Sequence, residues 1–300
     1  KVVAREMERL ALGDDGNYEF RTLIRNDQGD FVLHDALTYT AFDRHKVEVV
    51  GRDEASGKYY VVTDLFLDKA GVYFYDAVTR AFDPEPLFAT EQYEASDVLL
   101  GMRESDYNEL IGFSYLGSWE DAYIVDPEWD SIVTGLRNAF PGQRLQILDY
   151  TDGKSRILFS VSSSVQPPMY YLLENKSQTR YLGGQRPWID SDTLRPTELV
   201  YYEARDGLTI HGYLTLPVGV EPKNLPTVLN IHGGPATQYG FNYFDEFGDS
   251  RKPVNFGRFR SANIISTLTQ FQEVAGLGEG PVVAYRISGD TMTWLRAAHS

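Results

Sequence analysis

Residues 226–235 read Pro226-Thr227-Val228-Leu229-Asn230-Ile231-His232-Gly233-Gly234-Pro235. The run from Thr227 to Ile231 is short, mostly apolar and rich in β-branched residues, the pattern of an internal parallel strand covered on both faces. It breaks into paired glycines and a proline, punctuation that ends a strand in a sharp loop. Gly233 and Gly234 reach backbone angles closed to residues with a Cβ, so their N–H groups can turn toward one point. Converging amide hydrogens of this kind hold a developing oxyanion, and one well-placed donor contributes on the order of 3 kcal/mol to transition-state binding. Taken alone, the four residues fit an ordinary glycine turn equally well.

Working back from this stretch, Glu198 to Glu203 reads as a strand. Asp206-Gly207 is a hairpin signal, with Leu208 to Leu216 as the return strand and Pro217-Val218-Gly219 closing it. An antiparallel hairpin therefore leads into the strand that carries the glycines. Before it, Gly184-Gln185-Arg186-Pro187-Trp188, Asp190-Ser191-Asp192 and Arg195-Pro196 have the composition of a linker, which puts a domain boundary at 195/196.

The first two-thirds read as strand after strand. Tyr59 to Thr63, Gly71 to Asp76, Glu109 to Tyr115, Ala122 to Asp126, Arg144 to Leu148, Arg156 to Val161 and Met169 to Leu173 are short and enriched in aromatic and β-branched residues. Turn signals separate them at Asp30, Ser56-Gly57-Lys58, Asp68 to Gly71, Asp152-Gly153-Lys154 and Asn175-Lys176-Ser177. A unit of strand, acidic residue, polar turn and strand occurs at Asp76 to Arg80 and again at Glu174 to Arg180. This spacing fits the blades of a β-propeller, and a β-sandwich would show similar strands. One helix interrupts them. Asp126 caps it, Pro127 takes the first position, Trp129, Ile132, Val133, Leu136 and Phe140 recur at helical spacing, and Pro141-Gly142 stops it.

At 300 residues with 42% hydrophobic and 24% charged residues, the chain has the composition of a globular protein of two ordinary domains. No apolar stretch approaches the ~18 residues of a membrane span. The net charge of −15 argues against nucleic acid and anionic membranes as partners. With no cysteine, disulfides, thiolate zinc sites and a cysteine nucleophile are excluded. No histidine pair has metal spacing, so no metal or other cofactor is expected. The expected compartment is the cytoplasm, although a periplasm also tolerates a cysteine-free chain. The first residue is Lys1, which reads as a cut edge. Homo-oligomerisation is left open.

Arg205-Asp206-Gly207-Leu208, Gly212-Tyr213-Leu214-Thr215-Leu216-Pro217, Leu225-Pro226 and His232-Gly233-Gly234-Pro235 occur in sequence, and together they resemble the prolyl oligopeptidase family of serine peptidases. The acylaminoacyl-peptidase and dipeptidyl-peptidase-like branch is the nearest. Asp126-Pro127-Glu128-Trp129 and Arg186-Pro187-Trp188 are similar to that branch's propeller and its exit. The likeness runs from about Val50 to Phe244.

This resemblance implies a mostly β chain: a partial β-propeller over residues 1–195, then the N-terminal start of an α/β-hydrolase domain over residues 196–300. It implies peptide or acyl-peptide substrates and a Ser, Asp and His mechanism, with the serine on a Gly-x-Ser-x-Gly elbow. Gly233 and Gly234 would form one arm of the oxyanion hole, chiefly through the Gly234 N–H. His232 and Pro235 would support the loop, and Tyr239 and Phe241 would border the substrate pocket.

No serine of the chain has the elbow pattern. Ser288 lacks both flanking glycines, Ser250 meets Lys252 at the closing position, and Ser114 meets Leu116 there. The family order then puts Ser, Asp and His beyond residue 300, and no catalytic residue is assigned within the chain. Val254 to Phe259, Phe271 to Gly276 and Trp294 to Ala297 are displaced echoes of family motifs, which reads as an aberrant C-terminal tail from a reading-frame error or truncation.

The remaining candidates have plainer readings. His211 lies inside a strand as a packing residue, His34 and His45 are isolated, and His299 is in the tail. The acidic pairs Glu104/Asp106 and Asp126/Glu128 suit turns and a helix cap rather than glycosidase chemistry. The twenty tyrosines suit sheet faces and packing between blades. Two other functions fit the residues: a non-catalytic propeller that binds a partner, and a carboxylesterase, which shares the His-Gly-Gly element but usually lacks a propeller.

Overall fold

The computed structural model describes residues 6–12, 16–26, 28–43, 45–216, 219, 221, 227–230, 255–259, 282–288 and 291–296. The chain divides into two compact units, Lys1–Ala139 with Thr151–Ser155, and Phe140–Tyr150 with Arg156–Ser300.

The first unit carries three antiparallel sheets. The first sheet holds β1 (Glu6–Leu12), β2 (Tyr18–Arg25), β3 (Phe31–Leu33) and β4 (Tyr39–Thr40), with both β3 and β4 paired to β2. The second is a meander of β5 (Val47–Arg52), β6 (Tyr59–Thr63), β7 (Gly71–Asp76) and β8 (Ala81–Phe82). The third holds β9 (Ala95–Leu100), β10 (Leu110–Leu116) and β11 (Glu120–Ile124).

The sequence of β6, Tyr-Tyr-Val-Val-Thr, explains how these sheets pack. All five residues are buried, and successive strand residues point to opposite faces. Tyr59 and Val61 join Ile24, Leu37, Val47 and Tyr75 in one apolar cluster, which the first sheet completes. Tyr60 and Val62 join Ala70, Val72, Ala95, Val98 and Phe113 in another, which the third sheet completes. The second sheet is therefore covered on both sides, at roughly 1.5–3 kcal/mol per fully buried valine-sized side chain. A two-layer sandwich leaves one face of each sheet in water; stacked blades do not. The turn after β7 is set by Asp76, whose Oδ1 accepts from the N–H of Val78 at 2.8 Å and of Thr79 at 3.3 Å.

The helix α1 (Pro127–Ala139) follows β11. The Asp126 carboxylate accepts from the Trp129 N–H at 2.8 Å, satisfying a donor that the first turn leaves open. Trp129, Ile132, Val133 and Leu136 form its buried stripe. Arg137 in the last turn pairs with Asp121 of β11 and donates to the Ala122 carbonyl at 3.1 Å. Phe140, expected on this stripe, lies outside the helix. A residue before proline is pushed out of the helical region, so the helix ends at Ala139. The Phe140 ring packs instead on Phe159 and Tyr171, with centroids 5.7 and 4.9 Å away.

Those two rings belong to the second unit. Its first sheet is a meander of β12 (Arg144–Tyr150), β13 (Arg156–Ser163), β14 (Gln166–Glu174) and β15 (Gln178–Gly184). Asn175 and Lys176, at φ 50° and 55°, turn the chain between β14 and β15.

The second unit also holds a six-stranded mixed sheet. Its strands are β16 (Thr197–Glu203), β17 (Thr209–Thr215), β18 (Thr227–Asn230), β19 (Asn255–Phe259), β20 (Val282–Ser288) and β21 (Thr291–Arg296), in the order β16-β17-β19-β18-β20-β21. The β16–β17 hairpin turns at Asp206-Gly207, where Gly207 takes φ 85° and the Ala204 N–H donates to the Leu208 carbonyl at 2.8 Å.

Candidate functional site

The apolar run before the paired glycines forms β18. This strand lies inside the mixed sheet and is parallel to both neighbours, with Thr227 opposite Asn255 of β19 on one side and Val282 of β20 on the other. A strand with parallel partners on both sides has its backbone groups fully engaged, and in open parallel sheets ligands gather beyond the carboxyl ends of the strands. The described strand ends at Asn230, two positions before His232. His232, Gly233, Gly234, Pro235, Tyr239 and Phe241 lie outside the described residues.

The serines weighed as nucleophiles occupy different settings. Ser288 ends β20 and pairs with Thr291 of β21. It therefore sits at a strand-to-strand return, whereas a nucleophile elbow needs a strand-to-helix turn. Ser114 is buried in the middle of β10, and its hydroxyl lies 2.7 Å from that of Ser96. Ser250 lies outside the described residues, as do the segments 271–276 and His299.

The histidines are spread out. His34 is buried with its Nδ1 2.8 Å from the Tyr75 hydroxyl. His45 Nδ1 lies 3.1 Å from Asp64, whose carboxylate also accepts from the Lys46 N–H at 2.9 Å, so this contact ties the ends of β5 and β6 together. His211 is a residue of β17 opposite Tyr201.

The acidic pairs take structural roles. Asp126 caps α1, and Asp106 Oδ1 accepts from the Arg103 N–H at 3.0 Å. Lys154 reaches between Glu128 at 3.1 Å and Asp106 at 3.6 Å, with its ammonium 5.5 Å from the centre of the Trp129 ring. Burial works against the Lys154 charge, yet Glu128, Asp106 and Asp126 outweigh it and hold the ammonium above the ordinary lysine range. Sequence reading missed this cluster because its members lie far apart in the chain. Tyr59, Tyr60, Tyr73 and Tyr75 are buried in the second sheet, in line with a packing role, whereas Tyr18, Tyr107, Tyr123, Tyr181 and Tyr201 are exposed. Burial, with Asp53 adding to it, pushes the Tyr60 hydroxyl up to about 12.

Among the described residues, no group of three or more histidine and acidic side chains is placed to hold a metal ion. Among them, no helix is long and apolar enough to cross a membrane.

No family model matches the chain. The uncharacterised peptidase YuxL of Bacillus subtilis (strain 168) is 30% identical over 96 residues, which is 31% of this chain and 15% of that protein. Dipeptidyl aminopeptidase BIII of Pseudoxanthomonas mexicana is 29% identical over 128 residues, 40% of this chain and 18% of that protein. Among solved structures, a prolyl endopeptidase superposes with a TM-score of 0.55 at 14% identity, over 85% of this chain and 38% of that one. The acylaminoacyl peptidase of Pyrococcus horikoshii gives 0.51 at 12% identity, over 95% of this chain and 48% of that one. At these identities the structures show the fold, and the mostly β architecture matches the propeller region of prolyl oligopeptidases. The sequence relatives are peptidases by name, and the solved structures of like fold are a prolyl endopeptidase and an acylaminoacyl peptidase. The chain spans less than a fifth of the length of the curated relatives it matches.

Proposed function

We propose that this chain is part of a serine peptidase of the prolyl oligopeptidase family. Residues 1–195 supply the propeller, and residues 196–300 supply the opening of the α/β-hydrolase domain. The whole protein hydrolyses short peptides, or removes acyl or aminoacyl groups from N-termini, through an acyl-enzyme. Its serine attacks the scissile carbonyl, a histidine held by an aspartate takes the proton, and the tetrahedral oxyanion forms. In this chain Gly233 and Gly234 supply one arm of the oxyanion hole, His232 and Pro235 hold the loop, and Tyr239 and Phe241 border the substrate. The nucleophile, acid and base lie outside these residues, so the 300-residue chain is inactive by itself.

The observation that carries this reading is the position of β18. It is parallel to both neighbours and leads directly toward His232-Gly233-Gly234-Pro235. A carboxylesterase would share that strand and loop, but the antiparallel sheets of the first unit, packed on both faces of the second sheet, favour the peptidase.

The test is labelling with a fluorophosphonate serine-hydrolase probe, alongside turnover of aminoacyl p-nitroanilides. We expect no label and no turnover from the 300-residue chain, and both from the gene product that continues with a complete hydrolase domain. A labelled serine within residues 1–300 would overturn the placement of the nucleophile. A folded full-length product that does neither would overturn the peptidase reading in favour of a binding module.

A further inference from the structure

The junction between the first and second sheets holds a polar pair within an apolar cluster. His34 is 3% exposed and Tyr75 is fully buried. Their rings meet edge-on with centroids 5.6 Å apart, and His34 Nδ1 lies 2.8 Å from the Tyr75 hydroxyl. Ile24, Leu37, Val47, Tyr59 and Val61 surround them.

The main chain of His34 is fixed to the first sheet. Its N–H donates to the Thr22 carbonyl at 3.1 Å, and its carbonyl accepts from Leu37 N–H at 2.9 Å and from the Thr38 hydroxyl at 3.3 Å. Only the imidazole crosses to the second sheet, where it meets Tyr75 of β7. The hydrogen bond therefore joins two blades.

A neutral imidazole has one nitrogen that accepts and one that donates; an imidazolium only donates. In the tautomer whose Nδ1 accepts from the Tyr75 O–H, protonation removes that acceptor, and the hydroxyl must redirect its proton among Ile24, Leu37 and Val61. A charged ring also loses its hydration in this cluster. The charged groups around the pair act in both directions. Arg80, in the turn between β7 and β8, repels an imidazolium, while Asp35 beside His34 attracts it. Asp76, at the end of β7, acts on Tyr75. Tyr59 of β6 and Tyr39 of β4 also pack here. Burial is the largest influence, with Arg80 next, and the His34 ring is held below the ordinary histidine range.

We propose that His34 is an acid-sensitive latch between the first two blades: protonation of its ring opens the junction of the first and second sheets, while the junction of the second and third sheets stays closed. The sign follows from linkage. A histidine with a lowered folded value contributes stability that is complete above the ordinary histidine range and is lost as pH falls below it. Below the ordinary value of about 6.5, the opened form binds a proton that the closed form refuses. At pH 5.5 the opening constant therefore rises over its value at pH 7.5, by at most about tenfold when the closed form takes up no proton.

Hydrogen exchange of the full chain at the two pH values, corrected for intrinsic rates, reads this directly. We expect peptides covering Tyr18–Arg25 to open more at pH 5.5, by up to about tenfold, peptides covering Leu110–Leu116 to hold steady, and the His34→Gln variant to lose the pH effect while keeping a partner for Tyr75. Equal pH responses in the wild type and the variant would overturn the proposal, and so would parallel opening of Leu110–Leu116. If the variant does not fold, NMR titration of the histidine rings in the wild type decides. One ring should titrate below the ordinary range, with the Thr22 and Ile24 amides moving at the same midpoint. The absence of such a ring would overturn the latch.

Discussion

Truncating two adjacent valines of β6 tests whether the second sheet is a blade. Val61 and Val62 are neighbours in sequence and both are fully buried. Val61 faces the cluster shared with the first sheet and Val62 the cluster shared with the third. Val→Ala removes two methyl groups, a transfer loss of roughly 1.6 kcal/mol at about 0.8 kcal/mol per methyl-sized group. The space left behind adds to this, because dense cores relax only in part, so each variant should lose about 2–3 kcal/mol. The two side chains lie in different clusters, so the double variant should lose more than either single one. Urea titrations followed by far-UV circular dichroism, and by fluorescence from the tryptophans of the first unit, Trp119 and Trp129, give the midpoints and slopes. The two faces of a blade should respond alike. In a two-layer sandwich one of these positions would face water, and its truncation would cost under about 0.5 kcal/mol. One near-neutral variant of the pair would refute stacking on both sides.

Other positions offer independent checks. At Gly101 an added Cβ would lie 1.8 Å from the Asp106 carbonyl oxygen, so Gly101→Ala should lose about 2–3 kcal/mol in the same titration and loosen the 101–109 loop in hydrogen exchange. Asp126→Ala removes the cap on α1 and should cost about 1 kcal/mol, while Asp126→Asn should keep most of it. Lys154→Met removes the ammonium 3.6 Å from the Asp106 carboxylate, which is 5% exposed, and should cost about 1–2 kcal/mol. The raised Lys154 value adds a sign: its contribution is complete below the ordinary lysine range and lost as pH rises through and above it, so the variant should lack that alkaline loss.

Much of the fold could be read where local chemistry and packing agree. The run Tyr59 to Thr63 has no charge to dilute it because both of its faces are covered. The hairpin at Asp206-Gly207 and the cap at Asp126 follow from turn and capping preferences that act over a few residues. The strands before Tyr59 were harder to see. In β2, Tyr18 to Arg25, the residues Glu19, Arg21 and Arg25 interleave with apolar ones, and only Thr22 and Ile24 are deeply buried. In β15, Gln178 to Gly184, no residue is buried, since the strand pairs on one side only with β14. The His34–Tyr75 contact joins residues 41 positions apart, and no local pattern announces such a pair. For the candidate site, the strand leading to His232 could be read from its apolar run, and β18 has the parallel neighbours that run implied. The positions of the strands that flank β18 could not, because β19 and β20 come from a segment whose motifs match the family poorly.

The most direct measurement is a structure of the full-length gene product with a phosphonate or boronate transition-state analogue on its nucleophile. The anionic oxygen of the adduct is expected about 2.7–3.1 Å from the Gly234 N–H, beyond the carboxyl end of β18. An adduct whose oxygen is held by other donors, with His232 to Pro235 turned away from it, would contradict the account.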